Sequence, residues 1–259
     1  MRIVVKYGGS AMGAGGDQAL LAELAELDAA GHSVILVHGG GPEIDAALAE
    51  RGIRTQRVEG LRVTERAALD TVEAVLCATA NKRLVRSCLQ LGIRAVGMSG
   101  QDAGLIRARS ARSPSGEDLG YVGEIESVDP SVLFSLLKDG FLPVVAPLAV
   151  SDDFVHAYNV NADTAAGAIA AAVQADAYVT LTDVHRVLRD PQDPKSELHE
   201  LSVADAQVFA RSAACGPGMK PKILAAIAAL RGGAARAYIC GASPGAIAGA
   251  LAGNATIIL

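Results

Sequence analysis

Two lysines and two glycine-lined strand ends carry the chemistry legible in this 259-residue chain. The first junction is Ile3-Val4-Val5-Lys6-Tyr7-Gly8-Gly9-Ser10, an apolar run ending on a lysine and a glycine pair. The second is Val34-Ile35-Leu36-Val37-His38-Gly39-Gly40-Gly41-Pro42, where three glycines lead straight into a helical pattern. Glycines strip Cβ from the bend, so backbone N–H groups can approach a ligand, and the helix N-terminus beyond favours negative charge. One glycine would serve a tight turn; three favour ligand approach. Lys6 stands at the carboxyl end of a predicted parallel strand, where α/β proteins bind ligands. Gly216-Pro217-Gly218-Met219-Lys220-Pro221-Lys222 opens another helix with lysines in its first turn, against the macrodipole. An anion there relieves the conflict, although spacing leaves open which lysine faces it. Together these parts suit a phosphate.

Other polar groups fit around that cradle. Arg62, in Gly60-Leu61-Arg62-Val63-Thr64, offers a guanidinium near a helix start, suited to bidentate carboxylate binding. In Asn159-Val160-Asn161-Ala162-Asp163, alternation aims Asn159, Asn161 and Asp163 the same way if the segment is extended. Asn161 also reads as a helix N-cap. His38 reads as structural support for the glycines rather than as a catalyst. Phosphoryl transfer needs mostly positioning and charge neutralisation. No histidine–carboxylate or nucleophile–base pair stands out, which is consistent with an acceptor that needs no deprotonation. A carboxylate, with a reference pKa of about 4.3, is such an acceptor.

Several classes are excluded. There is no GxxxxGK[ST], no GxGxxG and no HExxH. HGGG also serves esterases, but they need a GxSxG that Gly97-Met98-Ser99-Gly100-Gln101 does not supply. The net charge of −5 and the lack of a basic block argue against nucleic acid. Four scattered cysteines without a CxxC read as reduced thiols of a cytoplasmic protein. No signal peptide and no apolar run of roughly 18 residues is present, so no membrane partner is expected.

The elements that must hold these residues alternate along the chain. Strands are expected at 3–6, 34–37, 93–97, 142–147, 177–182, 236–240 and 256–259, several of them continuously apolar as in a sheet covered on both faces. Helices are expected from a cap at Asp17 to Gly31, from Pro42, from Thr64 to about Leu91, between Pro130 and Gly140, and over 163–173 and 219–231. The order predicts a doubly wound parallel sheet. Leu105–Arg109 and Tyr121–Ile125 form an expected antiparallel hairpin able to cover a substrate. Apolar residues are 51% and aromatics 3%, so the core must be aliphatic and alanine-rich. The character shifts near residue 178, and 189–195 reads as a surface loop.

Taken together, Lys6-Tyr7-Gly8-Gly9-Ser10-Ala11-Met12, His38-Gly39-Gly40-Gly41-Pro42, Gly60-Leu61-Arg62-Val63-Thr64, Ala80-Asn81-Lys82, Asn159 to Ala166, Leu181-Thr182-Asp183-Val184 and Gly218-Met219-Lys220-Pro221-Lys222 resemble the amino acid kinase family over nearly the whole chain. The resemblance implies an α/β fold: an open three-layer αβα sandwich with a mainly parallel central sheet. It implies an amino-acid-substrate and dimerisation lobe at 1–177 and a nucleotide lobe at 178–259. The activity implied is ATP-dependent phosphorylation of the γ-carboxylate of N-acetyl-L-glutamate in arginine synthesis. By motif, Lys6 and Lys222 stabilise the transferring phosphoryl group and Asp163 organises them. Gly8, Gly9 and Gly40 offer amides to phosphate. Gly40, Gly41, Arg62, Asn159 and Asn161 hold the acid, with Arg62 on its α-carboxylate. Asp183, Arg186, Leu188 and Gly216 approach the nucleotide, and Mg²⁺ rides mainly on the phosphates.

The chain departs from the family pattern after Val184, where His185 and Arg186 replace a small or proline residue and a glycine. Arg186 would crowd the nucleotide or contact its phosphates. Arginine-inhibited members carry an extra N-terminal helix that builds a hexamer. Here the first strand begins at residue 3, so an arginine-insensitive homodimer joined through the helix after Thr64 is expected. Two other readings stay open: a kinase for carrier-protein-linked aminoadipate or glutamate, and a non-catalytic amino-acid or nucleotide sensor.

Overall fold

Continuously apolar runs and alanine-rich periods alternate along the chain, and each becomes the element its pattern predicts. A computed structural model describes residues 1–8, 16–58, 61–113 and 115–259. In chain order the elements are β1 (Arg2–Tyr7), α1 (Gly16–Ala29), β2 (Ser33–His38), α2 (Gly41–Glu50), β3 (Arg57–Val58), β4 (Leu61–Arg62), α3 (Arg66–Glu73), α4 (Asn81–Gln90), β5 (Ala95–Ser99), β6 (Ile106–Arg112), β7 (Asp118–Val128), α5 (Ser131–Lys138), β8 (Leu142–Ala146), β9 (Leu148–Val150), β10 (Ala157–Asn159), α6 (Ala162–Ala172), β11 (Ala177–Thr182), β12 (Glu200–Leu201), α7 (Val203–Arg211), α8 (Lys220–Arg231), β13 (Ala237–Gly241), α9 (Ala246–Leu251) and β14 (Thr256–Ile258). A π-helical run, Ala74–Ala80, joins α3 to α4, so helix continues through 66–90 as the periodicity predicts.

The central sheet has eight strands in the order β12-β14-β13-β11-β1-β2-β8-β5. Its pairs are parallel except β13 with β14, which gives the mainly parallel sandwich expected. The chain moves outward from β1 to β2, then returns to lay β11 on the other side of β1. That reversal puts the topological switch at the carboxyl end of β1.

Side-chain alternation divides the core into two layers. Val4, Ile35, Val37 and Val145 face α6 and α8, while Ile3, Val5, Tyr7, Leu36 and Val144 face α1, α4 and α9. Lys6 shares its face with Val4 and so points toward α6. His38 shares its face with Leu36 and so points toward α4.

The expected hairpin is β6 and β7. It does not stand alone, since β9 and β10 join it in a closed four-stranded barrel that periodicity does not reveal. The strand expected at 93–97 lies instead at Ala95–Ser99, because Gly92 takes a positive φ and the turn runs on through Ile93. The Asp17 cap lies outside the described side chains, whereas Gly31, at φ +80, ends its helix as expected. No helix among the described residues is long and apolar enough to cross a membrane.

Helices α6 and α8 pack unusually close at Gly167. A Cβ there would lie 2.6 Å from the Ala225 carbonyl oxygen. Overpacking of this kind costs about 1–3 kcal/mol. Gly167→Val should therefore lower the unfolding free energy by about 2 kcal/mol or more in urea titration. A midpoint equal to that of the wild type would show that the two helices are not held at this distance.

Candidate active site

The site lies outside the carboxyl ends of β1 and β2. Two cavities of about 340 Å³ each meet there, with Asp163 lining one and Lys222 the other. The first is lined by Lys6, Gly39, Gly40, Gly41, Asp45, Arg57, Arg62, Asn159, Asn161 and Asp163, with Val122 from the barrel as part of its wall. The second is lined by Thr182, Asp183, Leu188, Gly216, Gly218, Met219 and Lys222, among others.

Asp163 is the hinge of the arrangement. Asn161 caps α6 with its side-chain oxygen, which accepts from the backbone N–H groups of Asp163 and Thr164 at 2.9 and 3.1 Å. The cap holds Asp163 in the first helical turn, where the macrodipole favours its charge. One carboxylate oxygen of Asp163 then meets Lys6 Nζ at 2.8 Å, and the other meets Lys222 Nζ at 3.2 Å. Lys6 and Asp163 are buried, at 4% and 5% exposure. Burial pushes the Lys6 ammonium below the ordinary lysine range and the nearby Lys222 pushes the same way, while Asp163 opposes both. Lys222 occupies the first turn of α8, and the anion that offsets its unfavourable place there is Asp163 itself. Lys220 is exposed and faces elsewhere. The Gly167–Ala225 contact lies one turn beyond this pair on each helix, so the same close packing sets the Asp163–Lys222 distance.

The acid-sized cavity holds Arg62, 7% exposed, at the end of β4. Its Nη1 donates to Thr55 Oγ1 at 3.1 Å and meets Asp45 Oδ1 at 2.5 Å. Arg57 meets the other Asp45 oxygen at 3.1 Å. Burial alone would raise the Asp45 carboxyl, but the Arg62 and Arg57 guanidiniums together hold it below the ordinary range. Thr64 is fully buried and ties this wall together. Its hydroxyl donates to the Arg62 carbonyl at 2.7 Å and accepts from Asn159 Nδ2 at 3.2 Å. Tyr121 N–H donates to the Thr64 carbonyl at 2.7 Å. Gly120, at φ +68, lies so close to that carbonyl that no Cβ fits.

The predicted residues thus divide. Lys6, Asp163, Gly40, Gly41, Arg62, Asn159 and Asn161 share the first cavity, and Asp183, Leu188, Gly216 and Lys222 share the second. Gly8 follows β1 directly, and the Gly39 N–H donates to the Tyr7 carbonyl just before it at 2.9 Å. Gly9 and Gly60 lie outside the described residues. Arg186 does not line the second cavity. It is engaged with Glu197 at 2.9 Å, Asn254 at 2.8 Å and the Ala255 carbonyl at 3.2 Å, and so anchors the turn after β11 to the strand end beside it. Sequence reading missed Asp45, Arg57 and Thr55. Only Asp45 carried a signal, as a second acid in the opening turns of the helix that follows the glycines.

The chain as a whole is similar to known proteins. Residues 1–241 match the model of the amino acid kinase family. The chain is 44% identical over 248 residues to an acetylglutamate kinase of Gluconobacter oxydans, covering 92% of this chain and 82% of that protein. It is 41% identical over 254 residues to an acetylglutamate kinase of Brevibacillus brevis, covering 98% and 94%. Among solved structures, an N-acetylglutamate synthase of Neisseria gonorrhoeae superposes with a TM-score of 0.83 at 26% identity, covering 99% of this chain and 59% of that one.

Removing the shared carboxylate would strand two ammonium groups. Asp163→Ala should cost about 3–5 kcal/mol of unfolding free energy. Adding Lys6→Met removes one stranded charge and should recover part of the loss. A double variant no more stable than Asp163→Ala would refute the coupling of both lysines through Asp163.

Proposed function

The chain belongs to the amino acid kinase family, and from that premise we propose that it phosphorylates the γ-carboxylate of N-acetyl-L-glutamate with ATP, a step of arginine biosynthesis. The observation that carries the reading is one buried aspartate gripped by a lysine from each of two adjoining cavities.

The chemistry follows from charge. A carboxylate oxygen of the acid attacks the γ-phosphorus of ATP, a new O–P bond forms, and the bond to the β,γ-bridging oxygen breaks. ADP leaves and no proton moves, so no general base is required. The obstacle is repulsion between an anionic acceptor and an anionic phosphoryl group. Lys6 and Lys222 offset it from opposite sides, and Asp163 keeps both ammonium groups aimed at the gap between the cavities. The first N–H groups of α2, at Gly40 and Gly41, add the positive end of a helix. Arg62 and Asn159 hold the other end of the acid, with Arg62 on its α-carboxylate.

Asp183, Leu188 and Gly216 take the nucleotide side. Arg186, already paired, acts as the anchor of that wall. Among the described residues no three His, Cys, Asp or Glu side chains converge as metal ligands. Mg²⁺ would ride on the phosphates of the nucleotide, where it would supply further positive charge. The lobe boundary at 177/178, a homodimer joined through the helix after Thr64, and a cytoplasmic location complete the reading.

A hydroxamate assay with ATP tests it directly. Acyl phosphate should form from N-acetylglutamate in preference to glutamate and aminoadipate; none from N-acetylglutamate would defeat the proposal. Lys222→Ala should reduce turnover by about two orders of magnitude or more, as loss of a group that stabilises transition-state charge does. Lys220→Ala should stay near wild type, and equal effects would assign the phosphoryl-binding role to neither lysine.

A further inference from the structure

The Ala80-Asn81-Lys82 motif and His38 line neither cavity, yet His38, Asn81 and Lys82 form a hydrogen-bonded polar cluster behind the glycine loop. His38 is fully buried at the end of β2. Its Nδ1 lies 2.8 Å from the Gly39 carbonyl oxygen, which can only accept, so Nδ1 carries the proton. Its Nε2 is then a bare acceptor, 3.1 Å from Asn81 Nδ2. The Asn81 amide has one workable orientation. Its Nδ2 faces the carbonyl oxygens of Val144 at 2.8 Å and Met98 at 3.3 Å, and its Oδ1 accepts from Lys82 Nζ at 3.2 Å. A flipped amide would set oxygen against two carbonyls. Lys82 Nζ is fixed in turn by the Gly97 carbonyl at 2.8 Å.

The surroundings are built to admit this chain of bonds. Any Cβ on Gly97 would collide with Asn81 Oδ1 and with Lys82 Nζ. Asn81 sits where the π-helical run Ala74–Ala80 hands over to α4, and Leu76 from that run lies 2.8 Å from where a Gly40 Cβ would be. π-helical turns recur at functional sites because they re-aim side chains.

We infer that His38 and Asn81 are positioning residues of the transfer step: they turn the Gly39 carbonyl inward and thereby keep the Gly40 N–H, which shares that peptide plane, facing the cavity. The inference rests on the reading of that cavity as the phosphoryl-transfer site. A carbonyl rotated toward the cavity would place a negative dipole where the phosphoryl group gathers charge. The hydrogen bond from Nδ1 prevents that rotation, and Asn81 supplies the tautomer by occupying Nε2. Burial holds the imidazole down to about 4, the Gly39 carbonyl and Glu43 of α2 pull it upward, and Arg83 and Lys82 of α4 push it further down. The ring is therefore neutral, as the relay requires.

Two near-isosteres separate the bonds. His38→Gln keeps an acceptor for Asn81 but loses the donor to Gly39. His38→Asn places an amide N–H near the Nδ1 position and restores that donor. kcat for acyl phosphate should fall about tenfold or more in His38→Gln and recover in part in His38→Asn. KM for N-acetylglutamate, set by Arg62 and Asn159, should stay within about twofold in both, and the thermal midpoints should match each other. Equal kcat in the two variants, or losses that follow the folded fraction, would overturn the relay. A readout independent of activity is the long-range ¹H–¹⁵N spectrum of the wild-type imidazoles. His38 should show the neutral Nδ1–H tautomer without titrating between about pH 5 and 8. An Nε2–H tautomer overturns the relay whatever the activity. A wild type that makes no acyl phosphate but shows Nδ1–H would overturn the functional reading and leave the His38–Asn81 geometry standing.

Discussion

One buried carboxylate governs the architecture around it. Asp163 holds Lys6 at the end of the central strand and Lys222 at the start of α8. A lysine at 4% exposure has lost most of its hydration, and a lysine at a helix N-terminus opposes the macrodipole. The shared acid answers both costs, and its own charge is supported by the N-terminus of α6. Three elements are thereby fixed relative to one another at the point where two cavities meet. The close approach of α6 and α8 at Gly167 is the packing counterpart of this electrostatic requirement, since Asp163 and Lys222 project from the same two helices one turn earlier.

The opposing wall obeys the same logic with hydrogen bonds in place of charge. Thr64 has one hydroxyl and uses it twice, donating to the carbonyl of Arg62 and accepting from Asn159. Arg62 and Asn159 come from segments almost a hundred residues apart, and this one buried group sets their spacing. Asp45 occupies Arg62 and Arg57 at once, so the guanidiniums face the cavity already aligned. A site organised in this way meets its ligand with little reordering left to do.

Much of this was legible in the chain because it rests on local rules. Apolar runs ending in glycine, the Asn161 cap and the alanine-rich period of α6 each specify their own structure. Alternation then puts Lys6 on the α6 face of the sheet. Less legible was whatever depends on packing at a distance. The pairing of β9 and β10 with the hairpin involves three-residue strands, too short for a period to register. Helix α7 has no strong apolar period to mark it, although Ser202 and Asp205 spell a capping signal before it, and Ser202 does accept from the Asp205 N–H at 3.1 Å. Arg186 is the instructive case. Its place in a nucleotide-proximal motif suggests phosphate or obstruction, and only the folded chain brings Glu197 of the following loop and Asn254 before β14 to it as partners.

The paired register of β1 and β2 explains why charge and backbone donors can crowd into one crevice without conflict. Lys6 lies beside Val37 and faces α6, while Tyr7 lies beside His38 and faces α4. Successive residues on adjacent strands therefore send their polar groups into opposite layers. The layer behind α6 supplies the ammonium groups and their carboxylate. The layer behind α4 supplies a neutral histidine and an amide, which control a carbonyl and add no charge. Had His38 fallen one position earlier, its ring would share a layer with Lys6 and compete for Asp163. A one-residue difference in where the strand meets its glycines thus separates neutralisation of the phosphoryl group from orientation of the amide that receives it.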